Sequence, residues 1–322
     1  MEIDYRKLIR AIKNEGCVLF IGPEIAKNDA GESLHKNFYK SLEQKYKGEI
    51  TFNQAEGLFM FNEPDAKTDL IYDLKEFYEK NAFSEAVFKQ LAKIPFHLII
   101  SATPDDTLSK VFRDFNIEHE SAFFERSKKT CIQPKKDKPL LYYVLGLATK
   151  GNYILTQDDF YEYIKLVVGQ NILPKEIVDT LFNATHFVFI GFEFDKWYIR
   201  LLMHILDFHV KKDGKTVQAI KPEEVNYAFQ TLIEKQFNVT FIENNYTEFV
   251  ETLYKKVEEE GILRQLLSRD ELVLNQIKEK EEVLADYEEL LMLEEDPKLM
   301  LKYKKEVNKL KAEIETLKME LK

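Results

Sequence analysis

The fold is decided by the stretch Gly16-Cys17-Val18-Leu19-Phe20-Ile21-Gly22-Pro23-Glu24-Ile25-Ala26. Its first part, Cys17 to Ile21, is a continuous apolar run with a glycine on either side. A short run that is apolar on both faces is typical of a strand buried in a parallel sheet. The turn that opens at Gly22 is where such folds bring backbone N–H groups close to a phosphate. Taken alone, the stretch favours a buried strand with a glycine turn and no ligand.

Outward from this strand, helical segments alternate with short apolar runs as far as about residue 258. Helices between extended apolar runs indicate an α/β domain with a mostly parallel sheet. We therefore expect a Rossmann-like α/β domain, a sheet flanked by helices, over residues 1–260. The predicted strands are 17–21, 97–101, 140–144, 186–190 and 239–242, and the predicted helices include 54–61, 70–81, 84–93 and 175–183.

The composition changes after about residue 261, and residues 268–322 contain one proline, no glycine and many Glu, Lys and Leu. Apolar residues recur there at heptad spacing, which predicts two helices that fold as an antiparallel hairpin or coiled coil over residues 261–322. Asp296 is the expected N-cap of the second helix, with Pro297 at its first position. The seam residues are Val273, Ile277, Leu284, Tyr287 and Leu291, then Tyr303, Val307, Leu310, Ile314, Leu317 and Leu321.

This apolar seam is narrow, and the hairpin is too thin to bury it fully by itself. The sequence therefore predicts that residues 268–322 bind a protein partner, associate with another copy or pack on the main domain. A solvated tail helix is the alternative, and the regularity of the seam disfavours it.

The charge and the cysteine content exclude several classes of protein. A net charge of −10 and a pI of about 5.3 disfavour general affinity for nucleic acid or an anionic membrane. No stretch approaches the length of a membrane span, and the N-terminus lacks the apolar core of a signal peptide. The two cysteines form neither a disulfide framework nor a metal cluster, so we expect a cytoplasmic protein without a metal site. His204 and His209 stand five apart, not the three or four that places two ligands on one helical face.

Four segments, in order, resemble the sirtuin-like domain of bacterial antiphage-defence proteins. Residues 18–26 fall where that family has a strand and a Gly-Ala-Gly-x-Ser turn, and 98–106 (Leu-Ile-Ile-Ser-Ala-Thr-Pro-Asp-Asp) fall on its strand followed by Thr-Thr-Asn-Tyr-Asp. Residues 139–146 fall on its Tyr-Lys-Leu-His-Gly segment, followed by 154–160, which are similar to Leu-Thr-x-x-Asp-Tyr. Residues 187–195, leading to 199–202, resemble its Gly-Tyr-Ser-x-x-Asp and helix. The resemblance implies a sirtuin-type sheet over most of the chain.

The resemblance also implies a chemistry, because active members of the family cleave the nicotinamide–ribose bond of NAD. Their asparagine positions water or the ribose, and their histidine acts as a base on a ribose hydroxyl. In this chain those two positions hold Thr103 and Leu145, and leucine has no group for acid–base work. The implied positions for NAD or a related nucleotide are Gly22, Pro23, Glu24, Ile25, Thr103, Asp105, Gly191, Phe192 and Asp195.

The turn after the first strand departs from the family as well. Pro23 removes one N–H, and Glu24 adds a negative charge where a diphosphate would sit. Together with Thr103 and Leu145, these departures argue against ordinary NAD hydrolysis. Asp105 and Asp106 are the candidate substitutes for a base, although an Asp after a strand commonly caps the next helix, here expected near Thr107.

Two functions remain after these observations. The first is a catalytically degenerate sirtuin-like protein of bacterial defence that acts by binding a ligand or by assembling with partners through its tail. The alternative is an NAD glycohydrolase effector that uses a rearranged site with Asp105, Asp106 or Glu24. Protein deacetylation is disfavoured, because its four-cysteine zinc module cannot be built from two cysteines. Residues 281–291 with 294–297 also resemble the small effector-associated modules that recruit partners carrying a similar module.

Overall fold

The computed structural model describes residues 3–28, 30–53, 58–61, 66–81, 85–127, 130–170, 173–196, 199, 203, 215–222, 227–243, 245–266, 269–294 and 296–320. The chain divides into two compact units. The first combines Met1–Phe112 with Glu118–Arg264, and the second combines Arg113–Ile117 with Gln265–Lys322. None of the described helices is both long and apolar enough to cross a membrane.

A parallel sheet forms the centre of the first unit. Its described strands lie in the order β5-β6-β4-β1-β7-β8-β9, and every neighbouring pair is parallel. A small antiparallel pair, β2 with β3, lies outside this sheet. The strands are β1 (Cys17–Ile21), β2 (Ile50–Asn53), β3 (Leu58–Phe61), β4 (Leu98–Ser101), β5 (Glu120–Phe123), β6 (Leu140–Tyr143), β7 (His186–Ile190), β8 (Thr216–Ile220) and β9 (Val239–Ile242).

Strand β1 occupies the middle of the sheet because all five of its residues are apolar and all five are buried. Val18 pairs with Leu98 of β4 on one side and with Phe187 of β7 on the other. A strand that is apolar on both faces requires cover on both faces, which the crossover helices of a parallel sheet supply. The rings of Phe20 and Phe189 stack with their centroids 4.3 Å apart across β1 and β7.

Helices flank the sheet, and several begin at a polar cap that satisfies their first N–H groups. Asp4 accepts from the N–H of Lys7 at 3.2 Å, and Ser33 accepts from the N–H of Lys36 at 3.2 Å. The described helices of this part of the chain are α1 (Tyr5–Lys13), α2 (Leu34–Lys45), α3 (Ala66–Lys80), α4 (Ala86–Lys93), α5 (Thr107–Asp114), α6 (Gln157–Gln170), α7 (Lys175–Asn183), α8 (Tyr227–Phe237) and α9 (Tyr246–Glu259).

The second unit contains the predicted hairpin, formed by α10 (Arg269–Leu293) and α11 (Pro297–Glu320). Asp296 caps α11 as expected, since its carboxylate accepts from the N–H of Lys298 at 2.8 Å. The seam is confirmed over its described residues and is incompletely buried: four side chains are nearly inaccessible, while Leu284 and Leu317 are partly buried. The four are Val273, Ile277, Val307 and Ile314. Leu321 lies outside the described residues.

The α/β fold class is confirmed, and so are most of the predicted elements. Strands 17–21, 186–190 and 239–242 and helix 175–183 have the predicted bounds, and the other predicted strands differ by one residue. The helix predicted at 54–61 is wrong where it is described, because 58–61 form β3, whose N–H at Phe59 also bonds the carbonyl of Leu155 at 3.0 Å. A short apolar run does not by itself distinguish a helix from a strand. Residues 54–57, and the predicted residues 84 and 200–202, lie outside the described residues, as do His204 and His209.

The turn after β1 leaves no room for a side chain at Gly22, and this close approach generates a prediction. A Cβ at this position would lie 2.1 Å from the carbonyl oxygen of Gly191, which is backbone and cannot rotate away. We expect Gly22→Ala to lower the free energy of unfolding by about 3 kcal/mol, measured by urea unfolding. Gly151→Ala is the matched control: its Cβ would meet open space, so only the φ of +68° penalises it, by about 1 kcal/mol. Equal losses in the two variants would contradict this account.

Candidate functional site

The candidate site lies at the edge of the sheet where the carboxyl ends of the strands meet. From β1 the chain first builds the strands on one side, β4, β5 and β6, and then returns to the other side to build β7, β8 and β9. In open parallel sheets, ligands bind in the crevice at such a reversal, beyond the carboxyl ends of the strands. The residues that follow β1, β4 and β7 therefore define the place to search.

The turn after β1 directs its N–H groups into the protein. Gly22 donates to the carbonyl of Ile190 at 2.8 Å, and Glu24 donates to the carbonyl of Gly191 at 3.0 Å. Ile25 donates to the carbonyl of Gly22 at 3.3 Å, and Pro23 has no N–H to give. Since a phosphate cradle needs backbone N–H groups that point at the ligand, the residues 22–25 do not fit a diphosphate in this conformation.

Glu24 is mostly buried beside a second carboxylate. Burial and, to a smaller extent, the nearby charge of Glu193 raise the pKa of Glu24 from 4.5 to about 7, against the opposing effects of Ser33, Lys36 and Lys196. Lys36 bridges to Glu193 at 2.6 Å. Near neutral pH the turn after β1 thus holds a carboxyl group that is close to half protonated.

A cavity of about 560 Å³ opens beside this turn. Tyr246, the first residue of α9, closes one wall, and its hydroxyl donates to the carbonyl of Ile25 at 3.2 Å. The lining is charged but balanced in sign. It includes Glu24, Glu32, Glu193 and Glu243 together with Lys27, Lys36, Lys40 and Lys221. Of the nine positions implied for a nucleotide, Glu24, Gly191 and Phe192 line this cavity.

Thr103 and Asp105 lie after β4, and both are buried. The Thr103 hydroxyl lies 2.9 Å from the hydroxyl of Ser101 and donates to the carbonyl of Asp105 at 3.3 Å. Its hydrogen bonds are therefore made within the protein. Asp105 Oδ1 accepts from the N–H of Thr107 at 2.9 Å, which confirms that this carboxylate caps α5. Asp106 lies 2.9 Å from Lys110, one turn further along the same helix.

The second carboxylate oxygen of Asp105 lacks the kind of hydrogen bond that the first one makes. Asp105 Oδ2 and the hydroxyl of Tyr78 on α3 are both buried without a hydrogen-bond partner among the described residues. Burial raises the pKa of Asp105 and of Tyr78, and each is affected by nearby charge: Asp106 acts on Asp105, and Asp105, Tyr153 and Glu24 act on Tyr78. Buried polar groups without partners are rare in proteins, and each calls for an explanation.

Leu145, for which the sequence resemblance implies the position of a histidine, is only 4% exposed and belongs to the apolar core. Its carbonyl accepts from the N–H of Ile154 at 2.9 Å. The next residue, Gly146, has a φ of +83°, and a Cβ there would lie 2.3 Å from the carbonyl oxygen of Asn152. The backbone of this segment is therefore held tightly, and the Leu145 side chain packs in the core and carries no acid–base group.

The Leu-Thr-x-x-Asp segment has a structural role. Thr156 Oγ1 accepts from the N–H of Asp159 at 3.0 Å, and Asp159 Oδ2 accepts from the N–H of Thr156 at 3.2 Å. This reciprocal pair is a capping box at the start of α6. Asp195, the last of the implied positions, is exposed, lies 3.6 Å from Lys196 and does not line the cavity.

Sequence reasoning missed Tyr78, Glu193 and Lys36, which reach this edge from α3, from the turn after β7 and from α2. His35 on α2 was also passed over; burial, then Lys196 and Lys36, lower its pKa to about 3, so it is neutral at neutral pH. Tyr78, Lys36 and His35 stand in no motif, and Glu193 lies in the segment 187–195 but was not singled out there; only their packing identifies them. No group of three or more metal-binding side chains occurs in the described part of the chain.

A larger cavity, of about 770 Å³, lies beyond β6 and is lined by Phe124, Arg126, Tyr163 and their neighbours. None of the predicted site residues lines it. Its size does not make it the better candidate, because it lies away from the reversal of strand order.

A comparison with known protein families finds a match for part of the α/β unit. Residues 97–242 match the family model described as a SIR2-like domain. The match runs from the residue before β4 to the last residue of β9, and it includes neither β1 with its turn nor the tail. It supports the sirtuin-like interpretation of this part of the α/β unit. A search of the curated proteins found no match.

The raised pKa of Glu24 generates a prediction about stability. A carboxyl group whose folded pKa of about 7 exceeds the unfolded value of 4.5 contributes fully below pH 4.5 and loses that contribution as pH rises through 7. The free energy of unfolding of Glu24→Gln should therefore equal that of the wild type near pH 4.5, the unfolded pKa of Glu24. Above the folded pKa of about 7, the variant should be more stable than the wild type by about 2 kcal/mol. Urea unfolding at both pH values measures the difference.

Glu43→Gln, on the exposed side of α2, controls for the loss of one surface charge. The interpretation of Glu24 fails if the two variants differ from the wild type by the same amount at both pH values.

Proposed function

We propose that this protein is a catalytically degenerate sirtuin-like protein. The observation that carries the proposal is Leu145, a buried core side chain at the position where active members of the family hold a histidine. Two features support it: the Thr103 hydroxyl is bonded within the protein, and the turn after β1 uses its N–H groups on neighbouring carbonyls. The three features affect the acid–base group, the ribose or water contact and the phosphate contact in turn. A single substitution is therefore not expected to restore NAD cleavage.

In this proposal the α/β unit binds a ligand or simply supports the fold, and the hairpin assembles the protein with partners. The role belongs to bacterial antiphage defence, for which the support is the resemblance of four segments in order. The incompletely buried seam of the hairpin supports assembly. The two thiols, Cys17 buried and Cys131 partly exposed, suit a reducing cytoplasm.

The decisive measurement is free nicotinamide after incubation of the full-length protein with NAD. We expect no release above that from heat-denatured protein, with the protein dilute or concentrated. A titration with NAD and with ADP-ribose in a calorimeter then separates a ligand-binding unit from one that binds neither. Steady release of nicotinamide that disappears in Asp105→Asn would overturn the degenerate interpretation.

The second candidate function is NAD hydrolysis through a rearranged site, and one observation favours it. Asp105 Oδ2 and the Tyr78 hydroxyl are buried polar atoms that find no hydrogen-bond partner in the described part of the chain, the arrangement expected where a substrate supplies the missing hydrogen bonds. NAD is the substrate in this alternative, and Asp105 is the base.

Substitutions at the two aspartates distinguish the candidates. Asp105→Asn keeps an oxygen for the α5 cap, so a loss of activity in this variant reports chemistry and not unfolding. Asp106→Asn is the matched control, since the Asp106 carboxylate forms an ion pair with Lys110 at 2.9 Å. Under hydrolysis we expect Asp105→Asn to lower the rate at least 100-fold and Asp106→Asn to leave it within about threefold. Under the degenerate proposal neither variant has a rate to lose.

A further inference from the structure

The two helices of the hairpin carry opposite charge. Helix α10 contains eight acidic and three basic residues, a net charge of −5. Helix α11 contains seven basic and four acidic residues, a net charge of +3. When helices of opposite sign are neighbours, their charges attract, and when helices of like sign are neighbours, they repel. Any second hairpin that docks here is therefore constrained in how it can lie.

Ion pairs within the hairpin mark its two sides. Glu281 pairs with Lys318 at 2.8 Å and Glu288 pairs with Lys311 at 2.7 Å, and both pairs flank the seam on the same side, because each helix contributes residues seven apart. In heptad letters, with seam residues at a and d, these four residues occupy e positions. The charged side chains on this side of the hairpin, which we call the closed side, are thus paired with each other across the two helices.

The opposite side holds the g and c positions and has a different surface. Glu313, at g, pairs with Lys280 at 2.5 Å and identifies this side. Four g and c positions toward the turn of the hairpin carry large apolar side chains that are exposed. They are Val283 (44% exposed), Leu290 (46%), Leu293 (74%) and Leu299 (39%). We call this side the g/c face.

The g/c face also carries exposed charges of opposite sign on its two helices. Asp286 on α10 lies three residues from Val283 and four from Leu290, so it shares their face. Lys309 on α11 lies four residues before Glu313 and acts on its charge, so it too belongs to the g/c face. The face therefore combines apolar side chains near the turn of the hairpin with an acidic residue on one helix and a basic residue on the other.

We propose that the g/c face binds the same face of a second copy of this chain. Helix α10 of each copy lies against α11 of the other, and Asp286 of each copy lies beside Lys309 of the other. The opposite net charges of the two helices select this arrangement, because the alternative brings the two acidic helices together. The result is a four-helix bundle with two-fold symmetry.

The direction of the helices then fixes the geometry. Neighbouring helices α10 and α11 of different copies run antiparallel, as they do within one hairpin, so the turns of both hairpins lie at the same end of the bundle. Asp286 and Lys309 come to the same height, because the internal ion pairs match Glu288 with Lys311. The exposed apolar residues of the two copies meet next to them and lose their contact with water. This inference rests on the assembly role proposed above for the hairpin.

The test uses the full-length protein and a charge exchange. Sedimentation equilibrium should show a dimer for the wild type, while Asp286→Lys and Lys309→Asp should each weaken it by about tenfold or more. An equimolar mixture of the two variants should dimerise about as tightly as the wild type, because each altered residue again faces its opposite. Circular dichroism confirms that each variant keeps its helical content.

Two further variants complete the design. Leu290→Asp with Leu293→Asp should abolish the dimer, since charge on an apolar contact forbids its burial. Glu281→Lys with Lys318→Glu exchanges an ion pair on the closed side and should leave the dimer unchanged. If either charge variant unfolds the hairpin, the salt dependence of the wild-type dimer replaces it, and dissociation should increase with salt.

A wild-type protein that stays monomeric at about 100 µM, well above the Kd expected of a specific dimer, would overturn the proposal. So would charge variants that dimerise like the wild type, or a mixture that fails to recover. Nicotinamide release measured on the same samples keeps the two proposals separate: release from an intact dimer counts against the degenerate site only, and a monomer without release counts against the dimer only.

Discussion

The carboxyl edge of the sheet depends on the close approach of two turns, the one after β1 and the one after β7. Gly22 and Gly191 meet with no room for a side chain, and the N–H groups of Gly22 and Glu24 bond the carbonyls of Ile190 and Gly191. This contact joins the turns after the central strands at the edge where open parallel sheets bind their ligands. The same hydrogen bonds that secure the fold also consume the donors that a phosphate would need, so stability and ligand binding compete for the same atoms.

Most polar groups at this edge are satisfied within the protein. Thr103 bonds Ser101, Asp105 caps α5 with one oxygen, and Thr156 and Asp159 cap α6 reciprocally. A site prepared for catalysis usually keeps some groups unsatisfied until the substrate arrives. Here that description applies to Asp105 Oδ2 and the Tyr78 hydroxyl, which is why hydrolysis remains the competing proposal while the rest of the edge supports a site devoted to structure.

The sequence predicts strands β1, β7 and β9 as short, mainly apolar runs bounded by turn residues. It predicts the hairpin from the heptad spacing of its seam. Strands β5 and β8 were not predicted, since Glu120, Ser121, Thr216 and Gln218 interrupt their apolar pattern, and 58–61 were mistaken for a helix. From the sequence, site residues could be predicted only within the four segments that resemble a family motif. Tyr78, Lys36 and Glu193 reach the edge from elements far apart in sequence, and nothing local in the chain records that they meet.

The carboxyl group of Glu24 has a consequence for thermodynamics as well as for geometry. Its pKa of about 7 means that its charge changes within the pH range of a living cell. An anion that binds beside it favours the protonated form, so binding takes up a fraction of a proton from the solvent. The heat of such binding depends on the ionisation enthalpy of the buffer. Calorimetry in several buffers therefore measures the number of protons taken up, which equals the negative charge that Glu24 loses when the anion binds.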